Sequence, residues 1–221
     1  MSETGLKLSP NFPVSVGLTR EEIDANGPAM HLPVTVKVLN FMPAADFVIE
    51  FGCGEYSTDV FLRAGRQVIS VETDLEWVNR ISTKHAAQLE SGQLRMMCAR
   101  KPTGELGIFK AMGYGKDGKF ANIAFVDGPH TTRLAIAQTL VNMDMASAII
   151  CHDTERPEYG WARLALPEEW RFVEVRDYKI WTGVLCAPGM HGLVKRLQDA
   201  FSNVHTYKLL ELAEKEFIKS E

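Results

Sequence analysis

Acidic and imidazole side chains follow two apolar segments in the second half of the chain. One segment, NIAFV, leads into DGPH, which runs from Asp127 to His130, and the other, AIIC, leads into His152 and Asp153. A carboxylate can orient a hydroxylated substrate, and an imidazole titrates near neutral pH and can accept the proton of that substrate. We therefore expect His130, His152 and Asp153 to be catalytic, with either histidine as the general base. Each histidine could equally be a structural side chain that only forms hydrogen bonds.

A second set of informative residues lies in the first half of the chain. An apolar run ends in EFGCG, in which Glu50 precedes Gly52, Cys53 and Gly54, and the next apolar run ends at Glu72. This pattern is typical of two neighbouring parallel strands that hold a nucleoside across their carboxyl ends. The sequence therefore predicts a nucleoside site.

The details of this pattern disfavour a dinucleotide. A dinucleotide-binding turn has the sequence G-x-G-x-x-G, whereas Ser57 stands at the third glycine position here. The carboxylate of Glu50 would repel phosphates and attract an ammonium group, and the two oxygens of Glu72 suit the paired hydroxyls of a ribose. The predicted ligand is a nucleoside that carries an amino acid and lacks phosphate.

Together these motifs resemble those of the class I S-adenosylmethionine-dependent methyltransferases over roughly residues 30 to 187. In that family the Glu-x-Gly-x-Gly loop lies under the methionine part of the cofactor, and an acid at the end of the second strand holds the ribose. The resemblance implies these roles for Glu50, Gly52, Gly54 and Glu72. The adenine contacts stay open, because the third predicted strand is not followed by the acid or amide that is common there.

The segments VDGPH and HDTER sharpen this resemblance. They look like segments of methyltransferases that modify sugars and other small hydroxylated molecules. The resemblance implies O-methylation of a small hydroxylated or sugar-like acceptor, with S-adenosylmethionine as the cofactor. Both segments should meet the reactive end of the cofactor, so we expect Asp127 to contact it. Cys53 should also contact the cofactor, and we interpret its thiol as a packing group rather than a nucleophile.

Several relatives in these groups bind a divalent cation through acids at the same two strand ends. The resemblance implies Asp127 and Asp153 as ligands here, with His152 as a third. A cation such as Mg²⁺ would lower the pKa of a bound hydroxyl, although imidazole is a better ligand for Mn²⁺. Alternatively, both aspartates only cap the turns that follow their strands. Arg156 could bind an acidic group of the acceptor or form a surface ion pair.

Strand and helix patterns alternate along the chain. They predict an α/β fold with a doubly wound, mostly parallel sheet of seven strands and a C-terminal antiparallel hairpin. We expect strands at residues 47–51, 68–72, 94–98, 122–126, 148–151, 171–177 and 180–186, and helices at 33–42, 57–64, 73–85, 191–203 and 207–219. Residues 19–22 and 73–76 have the sequence of capping boxes. Residues 101–119 lack a clear period and would form a lid or a disordered loop.

Length, charge and cysteines limit the class of protein. The 221 residues suffice for one domain, in which a helical segment (1–43) precedes a sheet core (44–187) and C-terminal helices (188–221). A net charge of −4, without a basic block, disfavours nucleic acid as a partner. We expect no membrane span, and the four cysteines in or beside core strands, with a polar start of the chain, indicate a cytoplasmic protein. An apolar stripe after residue 207 would pack on this domain or on a second subunit of a homo-oligomer.

Two other functions are compatible with the same cofactor site. The protein could bind the nucleoside without catalysis, or it could use S-adenosylmethionine for a reaction other than methyl transfer. The clustering of acids and histidines after both strands favours a transferase, because a binding protein has no physical need for such a cluster.

Overall fold

The computed structural model describes residues 14–99 and 121–207. Within these ranges the strands are β1 (Phe47–Phe51), β2 (Gln67–Glu72), β3 (Leu94–Cys98), β4 (Ala121–Val126), β5 (Ala146–His152), β6 (Arg171–Val175), β7 (Thr182–Cys186) and β8 (Val204–Tyr207). The helices are α1 (Arg20–Asp24), α2 (Leu32–Phe41), α3 (Ser57–Arg63), α4 (Leu75–Lys84), α5 (Ala86–Glu90), α6 (His130–Asn142) and α7 (His191–Ala200). Short 3₁₀ helices cover Gly27–Ala29, Pro157–Tyr159 and Trp161–Arg163. The lid predicted at 101–119 and all but the first residue of the helix predicted at 207–219 lie outside the described residues.

The strands form one sheet in the order β3-β2-β1-β4-β5-β7-β6-β8. Neighbours among β1 to β5 are parallel, and β7 runs antiparallel between β5 and β6. The predicted doubly wound sheet and its antiparallel hairpin are confirmed. The register sets Phe51 opposite both Val71 and Val126, so the carboxyl ends of β1, β2 and β4 lie level at one edge. Ligands of such sheets bind beyond this edge, where the strand order reverses between β1 and β4.

The predicted number of seven strands is wrong, because a short eighth strand extends the sheet within the described residues. β8 pairs antiparallel with β6, with Val204 opposite Val175 and Tyr207 opposite Phe172. The four residues VHTY are too few to show the alternation that is typical of a strand, and they stand next to a helical pattern. Sequence analysis therefore missed this strand. Consequently α7 ends at Ala200, before the predicted residue 203, and Tyr207 ends a strand instead of starting a helix.

Helices cover both faces of the sheet, which explains why most residues of its central parallel strands β1, β4 and β5 are apolar. Ile49 belongs to the apolar cluster on one face, which includes Ile136 of α6. Its neighbour Val48 belongs to the cluster on the other face, with Leu39 of α2 and Val60 of α3. In the part of the chain that is described, no helix is both long and apolar enough to cross a bilayer.

The start of α4 differs from the sequence prediction in a way that matters for the site. A capping box was expected from Thr73, but the N-cap is Asp74, whose side chain accepts a hydrogen bond from the N–H of Glu76 at 2.8 Å. The N–H and the hydroxyl of Thr73 both donate to Glu72 instead, at 2.6 and 3.3 Å. The capping box predicted at residues 19–22 is confirmed.

Candidate active site

A cavity of about 880 Å³ opens at the carboxyl edge of the sheet, beyond the ends of β1, β2, β4 and β5. Seven of the site residues predicted from the sequence line it: Gly52, Cys53, Gly54, Glu72, Asp127, His152 and Asp153. The other two, Glu50 and His130, are not among the lining residues. The fold thus gathers residues from four strands into one space.

Gly52 allows the loops after β1 and β4 to touch. Its φ of +88° lies in the left-handed region, and a Cβ at this position would lie 2.5 Å from the nitrogen of Gly128 and 2.6 Å from the carbonyl oxygen of Asp127. Only glycine fits such a close approach. A Cβ on Gly54 would also be tight, at 2.9 Å from the hydroxyl oxygen of Ser57. The glycine pattern therefore serves loop packing, and it leaves bare backbone at the cavity wall.

The carboxylate of Glu72 is held in one orientation at the end of β2. One of its oxygens accepts hydrogen bonds from the N–H groups of Thr73 and Asp74, at 2.6 and 3.0 Å. The other accepts the N–H of Cys53 at 3.1 Å, which ties β2 to the loop after β1. Each oxygen of a carboxylate can accept more than one hydrogen bond. The side chain is therefore a fixed acceptor at the cavity wall, as the predicted ribose role requires.

Glu50 lies beneath the glycine-rich loop and is fully buried. Its Oε2 accepts hydrogen bonds from the hydroxyl of Thr58 at 2.7 Å and from the hydroxyl of Ser70. Burial raises the pKa of Glu50 to about 7, although the hydrogen bonds from Thr58 and Ser70 act in the opposite direction. The Oε1 atom has no hydrogen-bond partner among the described residues. Glu50 can therefore act on a bound cationic group only from below the loop.

Cys53 has the properties of a packing residue. Its side chain is buried and approaches Glu72, with the sulfur 3.7 Å from a carboxylate oxygen. Burial, together with the charges of Glu50 and Glu72, raises the pKa of the thiol well above its usual value. Since the thiolate is the nucleophilic form, this environment disfavours covalent chemistry at Cys53.

Asp127 and His152 form a hydrogen-bonded pair between the ends of β4 and β5. Oδ1 of Asp127 lies 3.0 Å from Nδ1 of His152, and because a carboxylate only accepts, Nδ1 carries the proton. Burial lowers the pKa of His152, but the charge and hydrogen bond of Asp127 and the charge of Asp153 outweigh it, so this pKa is raised overall. Nε2 of His152 has no hydrogen-bond partner in the described ranges. In the neutral imidazole this atom is a free proton acceptor.

Arg133, in the first turn of α6, was not predicted from the sequence. This buried side chain donates to Oδ2 of Asp153 at 2.6 Å and lies 2.9 Å from Oδ1 of Asp127. Its Nε donates to the carbonyl of Gly128 at 2.7 Å, and its guanidinium lies over the ring of Tyr159. Asp153 accepts the hydrogen bond of Arg133 from a left-handed backbone conformation, with φ of +56°. This conformation is strained for a residue with a side chain. The sequence gives little indication of this role of Arg133, because its partners Asp127 and Asp153 lie 6 and 20 residues away along the chain.

The predicted cation ligands lie close together but already have other partners. Ligand atoms of Asp127, His152 and Asp153 lie within 4.8 Å of one another, as a metal site would need. However, both carboxylates already contact the guanidinium of Arg133, and His152 uses Nδ1 to bind Asp127. A divalent cation would have to displace Arg133. The capping alternative also lacks support, because these hydrogen bonds join the carboxylates to side chains rather than to backbone N–H groups.

His130 is separated from the other catalytic candidates. It is the exposed first residue of α6, and it lines a second cavity of about 640 Å³. Its ring stacks with that of Tyr159, with centroids 6.2 Å apart, and the guanidinium of Arg133 also packs on Tyr159. Its predicted role as a base therefore gains no support from the geometry.

The segment before α2 supplies a wall that sequence analysis did not identify. Asn26, Gly27, Pro28 and His31 all line the main cavity. The ring of His31 packs edge-on against that of His152, with centroids 5.1 Å apart. Burial and the neighbouring His152 lower the pKa of His31 to about 3, so this second imidazole is neutral. Of these two imidazoles, only that of His152 has a raised pKa.

Arg156 is half-exposed at the cavity rim beside three acids. Its guanidinium lies 3.8 Å from Asp153, 3.5 Å from Glu155 and 3.7 Å from Glu158. These distances are too long for hydrogen bonds but short enough for charge attraction. The contacts favour the ion-pair interpretation of Arg156 over its binding of an acidic acceptor.

An exposed aromatic ring borders the cavity beyond the end of β2. Trp77, on α4, lines the cavity together with Thr73 and Asp74, and 38 % of its surface is exposed. The guanidinium of Arg80 lies over this ring, 5.0 Å from its centroid, and also pairs with Glu55 of the glycine-rich loop at 2.6 Å. The ring is thereby held beside the cavity, where a flat heterocycle could stack on it.

Comparisons with known proteins show similarity in fold. No family model and no curated protein matches the chain. A methyltransferase from Geobacter sulfurreducens matches with a TM-score of 0.51 and 13 % identity, over 71 % of this chain and 78 % of that one. A putative methylase from Haemophilus influenzae has a TM-score of 0.51 and 14 % identity, over 70 % and 88 %. A methyltransferase from Podospora anserina with bound S-adenosylhomocysteine has a TM-score of 0.51 and 10 % identity, over 76 % and 82 %. The predicted methyltransferase-like fold is confirmed.

Proposed function

We propose that this protein transfers a methyl group from S-adenosylmethionine to a hydroxyl oxygen of a small hydroxylated or sugar-like acceptor. The observation that carries the proposal is one cavity that joins the fixed carboxylate of Glu72 to the hydrogen-bonded pair of Asp127 and His152. The fold likeness to methyltransferases, one of them with S-adenosylhomocysteine bound, supports the choice of cofactor.

We assign residues in the cavity wall, and Glu50 beneath it, to the parts of this cofactor. Trp77 would stack on the adenine, and Glu72 would accept hydrogen bonds from the ribose hydroxyls. The bare backbone of Gly52 and Gly54 would lie under the methionine part. Glu50, whose Oε1 has no hydrogen-bond partner among the described residues, would attract the ammonium group from beneath that loop. None of these assigned roles involves a phosphate group of the ligand. The assignment therefore agrees with the predicted nucleoside that carries an amino acid and lacks phosphate.

The chain's own contribution to the reaction is alignment and removal of one proton. When bound, S-adenosylmethionine supplies a sulfonium methyl group, which an acceptor oxygen attacks while the electrons of the broken carbon–sulfur bond stay on sulfur. Nε2 of His152 would take the proton from the acceptor hydroxyl. Asp127 would hold the imidazole by Nδ1 and stabilise its charged form. The walls that include His31 would hold the acceptor in line with the methyl group.

The predicted divalent cation at Asp127 and Asp153 is a separate hypothesis. The proximity of three ligand atoms supports it, and the guanidinium of Arg133 between the two carboxylates opposes it. The mechanism above therefore uses no cation. A single domain, a cytoplasmic location and a homo-oligomer also stay predictions.

Calorimetry tests the choice of cofactor. We expect S-adenosylmethionine and S-adenosylhomocysteine to bind and NADH not to bind. Replacing Glu72 by glutamine should weaken both interactions, whereas the same change at the exposed Glu90 should not. Tight binding of NADH without binding of S-adenosylmethionine would contradict the proposal.

Mass spectrometry tests the reaction. The protein is incubated with S-adenosylmethionine and a panel of sugars, uronates and phenols, and each acceptor is examined for a gain of one methyl group together with release of S-adenosylhomocysteine. Cofactor binding without turnover on the whole panel would favour a non-catalytic nucleoside-binding protein. Consumption of S-adenosylmethionine to another product would favour different chemistry.

A further inference from the structure

Arg133 holds both acids of the candidate active site. Nη1 of Arg133 donates to Asp153 at 2.6 Å and to the carbonyl of His152 at 3.2 Å. Nη2 lies 2.9 Å from the carboxylate of Asp127 and 3.4 Å from its carbonyl oxygen, and Nε donates to the carbonyl of Gly128. All three guanidinium nitrogens are thus engaged with the turns that follow β4 and β5. The side chain is only 9 % exposed, so water does little to screen these contacts.

The charges explain why a cation is needed here. Asp127 and Asp153 converge on one point, and two carboxylates that share a site disfavour each other's ionisation unless a positive charge lies between them. A guanidinium provides that charge permanently, because it keeps its proton at any physiological pH. Its flat, forked donors also match two separate carboxylates better than a spherical ion would.

We propose that Arg133 takes the place of a divalent cation between Asp127 and Asp153, so that methyl transfer by this protein is independent of metal. The inference rests on the proposed function for its activity readout. Arg133 is then a positioning residue: it fixes Asp127, and Asp127 fixes the imidazole of His152. A guanidinium has no open coordination position, so it does not ionise the acceptor hydroxyl as a bound metal would. The proton must instead pass to a side chain.

Metal binding is tested on the wild-type protein without any assumption about the reaction. The protein is titrated with Mn²⁺ alone, and the free ion is followed by electron paramagnetic resonance, with and without S-adenosylmethionine. We expect no stoichiometric uptake of Mn²⁺ in either case. Uptake of one ion per chain that is lost in Asp153→Asn would overturn the inference while leaving the proposed methyl transfer intact. Failure to bind S-adenosylmethionine would instead count against the proposed function.

Activity supplies the second test. Turnover of the wild-type protein should be unchanged after exhaustive chelation, and loss of activity that Mg²⁺ or Mn²⁺ restores would refute the inference. Arg133→Ala should lower kcat by about 100-fold, with little change in affinity for S-adenosylmethionine, because the general base loses its support. Added guanidinium ion should restore part of the activity of Arg133→Ala. Restoration by Mn²⁺ and not by guanidinium ion would contradict the proposal.

Matched variants separate positioning from folding. Arg196→Ala removes an exposed arginine on α7, far along the chain from the site, and should behave as wild type. Arg133→Lys keeps the positive charge but loses the forked donors of the guanidinium. Its kcat should therefore be lower than that of Arg133→Ala measured with added guanidinium ion. Equal activity of Arg133→Lys and wild type would show that charge alone suffices and would overturn the positioning role. If Arg133→Ala does not fold, the chelation and Mn²⁺ measurements on the wild type still decide the question.

Discussion

Replacing Glu50 by glutamine tests the electrostatics beneath the glycine-rich loop. Burial raises the pKa of Glu50 from 4.5 to about 7 in the folded protein. A carboxyl whose pKa is raised by folding binds its proton more tightly in the folded state. Its contribution to the free energy of unfolding is therefore fully present below pH 4.5 and is lost as the pH rises to about 7. At about 1.4 kcal/mol per pKa unit, the loss amounts to about 3 kcal/mol.

Glutamine has a similar shape and does not titrate. We expect Glu50→Gln to match the wild type near pH 4.5 and to exceed its free energy of unfolding by about 3 kcal/mol near pH 8. Urea denaturation of the ligand-free protein at both pH values measures this difference. The control is Glu90→Gln, which changes an exposed acid and should differ from wild type by the same amount at each pH. A difference for Glu50→Gln that does not change with pH would refute a raised pKa.

The same variant should show an opposite effect on binding. If the charge of Glu50 attracts the ammonium group of S-adenosylmethionine, Glu50→Gln should bind this cofactor less tightly near pH 8 although it unfolds less easily. Calorimetry at that pH measures the affinity. Tighter or equal binding would show that Glu50 supports only the loop and not the ligand.

Three further substitutions test other parts of the site. Glu72→Gln should raise the Kd for S-adenosylmethionine about tenfold with kcat nearly unchanged, because one charged acceptor for the ribose is lost, and Glu90→Gln is again the control in calorimetry. His152→Gln should lower kcat by about 100-fold or more. In the wild type, kcat should rise with pH through the pKa of His152, because only the neutral imidazole accepts a proton. This pKa is raised above 6.5. If His152→Gln shows the same dependence of kcat on pH, His152 is not the base. Gly52→Ala should lower the free energy of unfolding by about 1–3 kcal/mol more than Gly189→Ala, because both glycines have positive φ but only Gly52 lacks room for a Cβ. Equal changes in Tm would contradict this steric explanation.

The sequence was sufficient for most of the sheet, for a physical reason. Strands buried on both faces are mostly apolar, so the runs that form β1, β2, β4 and β5 are visible without any tertiary information. Their carboxyl ends must also meet at one edge, which is why Glu72 and Asp127 could be assigned to one site. β8 was missed because a four-residue edge strand depends on pairing with β6 rather than on its own pattern.

The residues that sequence analysis missed, or that lie away from the main cavity, depend on contacts that sequence patterns do not show. Arg133 looks like any arginine of a helix until the fold brings Asp153 to its guanidinium. His31 reaches His152 across about 120 residues of chain. His130 was grouped with Asp127 because both belong to the DGPH segment, but α6 begins at His130 and directs it to another surface. Nearness in sequence therefore brought the strand-end residues to one cavity but did not bring His130 to it.

The contact between the turns after β1 and β4 is unequal on its two sides. A methyl group at position 52 would collide with backbone, whereas one at position 128 would meet its nearest atoms, the nitrogen of Gly52 and the oxygen of Phe51, at an ordinary 3.7 Å. A side chain is thus excluded by backbone on the β1 side of the junction and has room on the β4 side. The turn after β4 can therefore vary in sequence while the turn after β1 must keep its glycine.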